Sequence, residues 1–243
     1  MGIGVKFSST IEAMSQTPRL LVFDLDGTLI DSRKDLCNSV NATLEHFGKA
    51  ALPDDIVAGY IGDGAATLVR RALAHAHMIE DQPDPHDDSF VEQALEFFLG
   101  YYRIHKLDFT YVYPGAIESL EAIHAAHPSL PMAVLTNKPV GPSLGICAHF
   151  GLDRFFFQNY GGNSFPTKKP DPQGFLALVA EAGVKAADAV MIGDSGVDVH
   201  TARNAGARSL GCTFGFSPQT LAEAKPDVSV DHASEWPKAL GLL

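Results

Sequence analysis

The sequence predicts an α/β protein in which a parallel sheet is covered by helices on both faces and a block of helices interrupts the sheet after its first strand. Three observations carry this reading. Four short apolar runs, each stopping at polar or glycine-rich residues, are separated by stretches of helical periodicity. The runs lack the alternation of a half-exposed strand, so both of their faces are expected to be buried, as in parallel sheets lying between helices. Residues 33–109, by contrast, show helical periodicity and no strand pattern.

The elements follow in order. The leading stretch "MGIGVKFSSTIEA" has one basic residue, Lys6, and no continuous apolar segment, so it does not read as a signal peptide. Met14 opens a second plausible start, "MSQTPRLLVFD", and residues 1–13 are expected to be a leader or disordered. The first strand is "RLLVFDL" (19–25). In the helical block, Asp63 is expected to cap a helix over "GAATLVRRALAHAH", where Ala65, Leu68, Val69, Ala72, Leu73 and Ala76 share one face. The Pro- and Asp-rich loop "EDQPDPHDD" (80–88) separates it from a second helix containing "FVEQALEFFLGYY".

Strand and helix then alternate. "PGAIESLEAIHAA" places Ile117, Leu120 and Ile123 at helical spacing before the strand "MAVLTN" (132–137). "DPQGFLALVAEAG" does the same with Phe175, Leu178 and Val179 and stops at Gly183, ahead of "AVMIGD" (189–194). The helix "VDVHTARNAGA" leads to the last expected strand, "ARSLGCTF" (207–214). The expectation is a Rossmann-like core from residues 1–32 and 110–243 with a helical insertion at 33–109.

Composition narrows the partners. A formal charge of -11 argues against a nucleic-acid surface or an anionic membrane, both of which need a basic footprint. No run of about 18 apolar residues exists to span a bilayer. Cys37, Cys147 and Cys212 are odd in number and far apart, with no Cys-x-x-Cys spacing, so they are expected to be reduced thiols in a cytoplasmic protein.

The chemistry gathers where strands stop. Asp24 and Asp26 are two apart on an extended segment, so both reach one volume at the carboxyl edge of the sheet, where ligands of such sheets bind. Adjacent anions there need a cation, a shared proton or a substrate. "GDSGVD" repeats the arrangement with Asp194 at a strand end and Asp198 at a helix start. Oxygen ligands around one point, with room for water, suit Mg²⁺. Thr136 and Asn137 end another strand, and Lys168 and Lys169 sit on the loop "PTKKPDP"; hydroxyl, amide and ammonium groups beside a metal are what a phosphoryl group requires.

Other readings are weaker. "GDSGVD" is superficially like a serine-protease "GDSGG" with Ser195 as nucleophile, but the α/β rhythm is the wrong architecture for it. "GDGAAT" around Gly62 and Gly64 lacks the preceding strand of a dinucleotide loop. His75 and His77 are two apart on a helix, hence on different faces, and read as ordinary surface or semi-buried residues.

In "DLDGT" (24–28), Thr136 with Asn137, Lys169 in "KKPDP" and "GDSGVD" (193–198), the chain resembles the haloacid dehalogenase-like superfamily, from about residue 19 to the end. The resemblance implies that Asp24 is a nucleophile forming an aspartyl-phosphate and that Asp26 is a general acid and base. It implies Mg²⁺ held by Asp24, the Asp26 carbonyl and Asp194, with Asp198 direct or through water. Thr136, Asn137 and Lys169 would hold the phosphoryl group, leaving Lys168 as a surface charge. Residues 33–109 would be a small α-helical cap, with specificity at Gly62, Asp63 and Gly64. "YIGDGAATLVRRAL", "YPGAIESL" and the tail "TLAEAKPDVSVDHASEWPKALG" are most similar to the phosphoglycolate phosphatase branch. A small phosphorylated metabolite, 2-phosphoglycolate first, is therefore the expected substrate of a monomer or homodimer. A β-phosphoglucomutase-like phosphomutase and a pyrophosphatase are the alternatives. Arg70 and Arg71 are candidates for holding the substrate carboxylate.

Overall fold

The computed structural model describes Met14, residues 16–79 and residues 88–243. The expected leader at 1–13 and most of the Pro- and Asp-rich loop lie outside the described residues.

The chain enters β1 (Leu20–Phe23) and a short β2 (Ile30–Asp31), then α1 (Arg33–His46), α2 (Asp54–Ala58), α3 (Ala65–Ile79) and α4 (Asp88–His105). It returns through β3 (Tyr111–Val112), α5 (Ala116–Ala126), β4 (Met132–Leu135), α6 (Val140–His149) and β5 (Gln158–Tyr160). It continues with α7 (Gln173–Glu181), β6 (Ala189–Gly193), α8 (Gly196–Ala205) and β7 (Arg208–Cys212), and ends with α9 (Pro218–Ala224), β8 (Val228–Val230) and α10 (Trp236–Ala239). Among the described residues the sheet has the order β5-β4-β1-β6-β7-β8, with every neighbouring pair parallel. The chain steps outward from β1 through β4 to β5, then crosses back to β6 on the other side of β1. That reversal opens a crevice beyond the carboxyl ends of β4, β1 and β6.

The apolar runs become strands because each residue has somewhere dry to point. In β1, Leu21 and Phe23 face a cluster with Leu120, Ile123, Ile146 and Trp236, while Leu20 and Val22 face Phe175, Leu178 and Met191. The four expected strands form, each slightly shorter than expected. β5 and β8 are additional edge strands: "QNY" and "VSV" are too short and too polar to announce themselves, and they are held by pairing to β4 and β7.

The helices after the first strand have an apolar cluster of their own, built from Leu36, Val40, Leu44, Leu68, Leu73, Val91 and Phe98. Two devices tie the ends of this lobe together. β2 pairs antiparallel with β3, Ile30 opposite Val112. The buried Asp35 carboxylate accepts the backbone N–H groups of Phe109 and Thr110 and the Thr110 hydroxyl, at 2.7 to 3.1 Å.

Two local expectations are corrected. α3 begins at Ala65, after Gly64 at φ 87°, and Asp63 does not cap it but pairs with Arg71 nearly two turns in, at 2.6 Å. His77 is buried, edge-on to Phe90, because its side of α3 faces α4.

Phe23 is fully buried with its ring centroid 5.4 Å from that of Trp236. Phe23→Ala is expected to cost about 3–5 kcal/mol in urea unfolding, the range for truncating a packed aromatic.

Candidate active site

β1 and β6 are paired with Phe23 opposite Ile192, so the residues that follow them, Asp24 and Asp194, emerge side by side. Asp198 arrives from the first turn of α8. There Ser195 and Asp198 form a capping box: Asp198 Oδ2 accepts the Ser195 N–H at 3.2 Å and its hydroxyl at 2.7 Å. That spends one carboxylate oxygen on the helix and leaves Oδ1 for Lys169, whose Nζ donates to it at 2.6 Å. Asp198 is therefore both a cap and a member of the cluster. Asp194 Oδ2 accepts the Phe216 N–H at 2.6 Å, and Oδ1 accepts the Thr28 hydroxyl at 3.4 Å.

Two glycines make room for this crowding. Gly27 has φ 84°, and a Cβ there would fall 2.3 Å from Asp194 Oδ2. A Cβ on Gly193 would fall 2.2 Å from Asp198 Cγ. The "DGT" and "GD" spellings thus follow from carboxylates packed against backbone.

Asp24, Asp194 and Asp198 are buried and each offers an oxygen within 4.8 Å of the others. At that limit and an effective dielectric of about 20, one such repulsion is about 3.5 kcal/mol. Burial, opposed by Lys169 and reinforced by Asp198 and Asp26, pushes the Asp24 carboxyl up to about 6. Burial, with Asp198 and Asp24 nearby, also drives the Asp194 carboxyl well above the usual range. For Lys169, burial works against the ammonium, but Asp198 and Asp24 more than offset it and raise its pKa. Lys169 Nζ lies 2.9 Å from Asp24 Oδ1. Apart from this ion pair, Asp24 Oδ1 is buried without a hydrogen-bond partner. Four carboxylates, counting Asp26, face two ammonium groups, leaving an excess of two negative charges when all are ionised. An orphaned carboxylate oxygen and that excess fit a hard divalent cation with oxygen ligands.

Asp26 stands on the other side of Asp24. Its carboxylate accepts the Ser32 hydroxyl at 2.5 Å and the Lys138 ammonium at 2.9 Å to each oxygen. Lys138, which the sequence reading passed over, is buried, with Nζ 4.6 Å from the ring centroid of Tyr102 on α4. Thr136 lines the same crevice, its hydroxyl accepting the Lys138 N–H at 3.2 Å. Asn137 lines the crevice as well, and its side-chain amide donates to the carbonyls of Gly62 and Lys169, at 3.0 and 3.1 Å. It ties the core to the helical lobe. Lys168 does likewise, donating to the Asp63 carbonyl, and is thus more than a free surface charge.

The crevice between core and lobe is lined by Asp24, Asp26, Thr136 and Lys138 below and by Ile61, Gly62, Gly64, Leu68, Phe98 and Tyr102 above. Gly62 and Gly64 of the expected specificity loop reach it, whereas Asp63 turns to Arg71. Arg70 pairs with Asp88 at 2.7 Å, and neither Arg70 nor Arg71 is among the lining residues. The signal for Lys138 was its position directly after a buried strand, in "TNKP". Tyr102 was a buried position on an amphipathic helix, with nothing local to mark it.

Residues 21–212 match the haloacid dehalogenase-like hydrolase family. A phosphoglycolate phosphatase of Pseudomonas savastanoi pv. phaseolicola is 38% identical over 215 residues, covering 88% of this chain and 76% of the relative. One from Vibrio parahaemolyticus is 34% identical, covering 90% and 95%. A crystal structure from Haemophilus somnus 129pt, described as a predicted phosphoglycolate phosphatase, superposes with a TM-score of 0.86 at 31% identity, covering 93% of this chain and 99% of that one. The chain belongs to the haloacid dehalogenase-like hydrolase family and is an enzyme of its phosphatase class. Among the described residues, no helix is long and apolar enough to cross a membrane.

The raised carboxyls make a pH prediction. An unfolded aspartate titrates near 3.9, so between about 4 and about 6 the folded, metal-free protein binds more protons at Asp24 than the unfolded chain does. Its contribution to stability is present below about 4 and lost as pH rises through about 6. Urea midpoints of metal-free protein should fall across that window, less so for Asp24→Asn, and Mg²⁺ should raise the wild-type midpoint at pH 7.

Proposed function

We propose that this enzyme hydrolyses small phosphate monoesters, 2-phosphoglycolate foremost, to the alcohol and inorganic phosphate. The observation that carries the reading is the convergence of Asp24, Asp194 and Asp198 on one point, with Lys169 between them and one Asp24 oxygen left without a hydrogen-bond partner. Relatives named phosphoglycolate phosphatase that align over most of both chains support the choice of ester.

In this reading, Asp24 attacks phosphorus in line with the ester oxygen. The phosphorus–oxygen ester bond breaks as a phosphoryl–Asp24 bond forms, and Asp26 gives its proton to the departing alcohol oxygen. Asp26, again a carboxylate, takes a proton from water; the water oxygen bonds to phosphorus and Asp24 leaves. Splitting one displacement into two is the advantage of a protein nucleophile. Lys169 holds Asp24 in position and places positive charge near the phosphoryl oxygens. In the same reading the Thr136 hydroxyl, just after the neighbouring strand, donates to them. Mg²⁺ would be held by Asp24, the Asp26 carbonyl, Asp194 and Asp198, and supplies charge that offsets the phosphoryl dianion. Ser32 and Lys138 fix the orientation of the Asp26 carboxylate.

The helical lobe acts as a cap that excludes water, with residues 33–109 as its extent. Gly62 and Gly64 bring its loop backbone to the crevice. The mostly apolar ceiling of Ile61, Leu68 and Phe98 suits a small ester better than the hydroxyl-rich sugar of a mutase. Three buried free thiols accord with a cytoplasmic setting.

The test is phosphate release with Mg²⁺ from 2-phosphoglycolate, pyrophosphate, a sugar phosphate and a nucleotide at equal low concentration. Phosphoglycolate should be turned over fastest. A requirement for a sugar bisphosphate activator would mark a mutase, and preference for pyrophosphate would overturn the ester assignment. Asp24→Asn should remove turnover by at least about 10³-fold while leaving the circular-dichroism spectrum unchanged.

A further inference from the structure

An ester that carries a carboxylate needs a cationic partner in a crevice that is otherwise largely apolar, because an anion left unpaired there is costly. The arginines nearest in sequence to the cap loop do not supply it: Arg70 pairs with Asp88, Arg71 with Asp63, and neither lines the crevice. Arg33 pairs with Asp31 at 2.5 Å and does not line the crevice either. Lys169 lies on the Asp24 and Asp198 side, where the phosphoryl group is bound in the reading above.

Lys138 is different. It is the one lysine or arginine among the residues lining the crevice. Its Nζ sits 2.9 Å from both oxygens of Asp26, a two-oxygen grip of the kind an ammonium makes on any carboxylate. Above it stands Tyr102 from α4, whose hydroxyl is buried and, apart from the Lys138 ammonium, has no hydrogen-bond partner. Its O–H is thus left without an acceptor, and a buried donor without one lining a ligand crevice points to the ligand. Asp26 must lie within about 2.6–3.2 Å of the leaving oxygen to protonate it, so Lys138, one hydrogen bond further on, lies at the leaving-group end of a bound ester.

We propose that Lys138, with the Tyr102 hydroxyl beside it, recognises an anionic carboxylate on the carbon that carries the leaving oxygen, and so selects this substrate class. The inference rests on the phosphatase reading above and deepens it. The selecting contact comes from a core loop and a buried cap helix, not from the cap loop at Gly62 to Gly64.

The experiment compares kcat/KM for 2-phosphoglycolate with that for ethyl phosphate, in which a methyl group replaces the carboxylate. Both esters use the same phosphoryl machinery, so any disturbance of Asp26 by a change at Lys138 affects both and cancels in the ratio. Wild type should prefer phosphoglycolate, and Lys138→Met should reduce that preference by about 10- to 100-fold, the worth of a hydrogen bond to a charged group, chiefly through KM. Tyr102→Phe, which removes one oxygen, should reduce it by about 3- to 10-fold. A preference that survives in both variants overturns the assignment to Lys138 and Tyr102 and leaves the substrate reading intact. A flat wild-type preference overturns the substrate reading itself. Should Lys138→Met fail to fold, the Tyr102→Phe ratio decides: a fall supports the proposal, and no change overturns it.

Discussion

The Lys169 ammonium between Asp24 and Asp198 is the interaction on which the site depends. A parallel sheet directs every strand end to one edge, and this chain places carboxylates at two adjacent ends and a third at the start of a helix. Without a buried cation the three would repel one another into solvent or protonate. Lys169, 2.9 Å from Asp24 and 2.6 Å from Asp198, allows them to stay buried and close, yet it does not neutralise them. The remaining negative charge fits the divalent ion that the proposed reaction calls for. The glycines at 27 and 193 follow from the same crowding, since any side chain there would occupy carboxylate space.

A second ion pair, Lys138 with Asp26, links this edge to the helical lobe. Its ammonium lies under the ring of Tyr102, while Asn137 and Lys168 hold the carbonyls of Gly62 and Asp63. Three consecutive residues after β4 thus turn three ways: Thr136 lines the crevice, Asn137 bonds the Gly62 carbonyl, and Lys138 meets Asp26 and Tyr102. The lobe is held at its base by Asp35 and by the pairing of β2 with β3, away from these contacts. That arrangement suits a lid that hinges at its base and latches at its tip.

Much of this was legible in the sequence because it is local. Apolar runs ending in Asp24 or Asp194 name both a buried strand and its functional end, and the spacing of Asp198 from Asp194 fits a capping box as well as a cluster. What was not legible is long-range or weakly patterned. Lys138 meets Asp26 across 112 positions, and nothing in its local sequence marks that partner. β5 is polar and gains its strand character from β4 alone. Asp63 looked like a cap because Asp commonly is one, but Arg71 about two turns away offered its carboxylate a stronger partner than a backbone N–H.

The claim at the centre of this account is that Asp24 is the atom source of a covalent bond to phosphorus. Acid-quenching the enzyme with Mg²⁺ and an isotopically labelled phosphate ester in the steady state, then locating the label by peptide mass spectrometry, tests it most directly. The account predicts label on the peptide carrying Asp24, at Asp24 itself, and none in Asp24→Asn. Steady release of phosphate with no label on Asp24 at any quench time, or label on another residue, would contradict it.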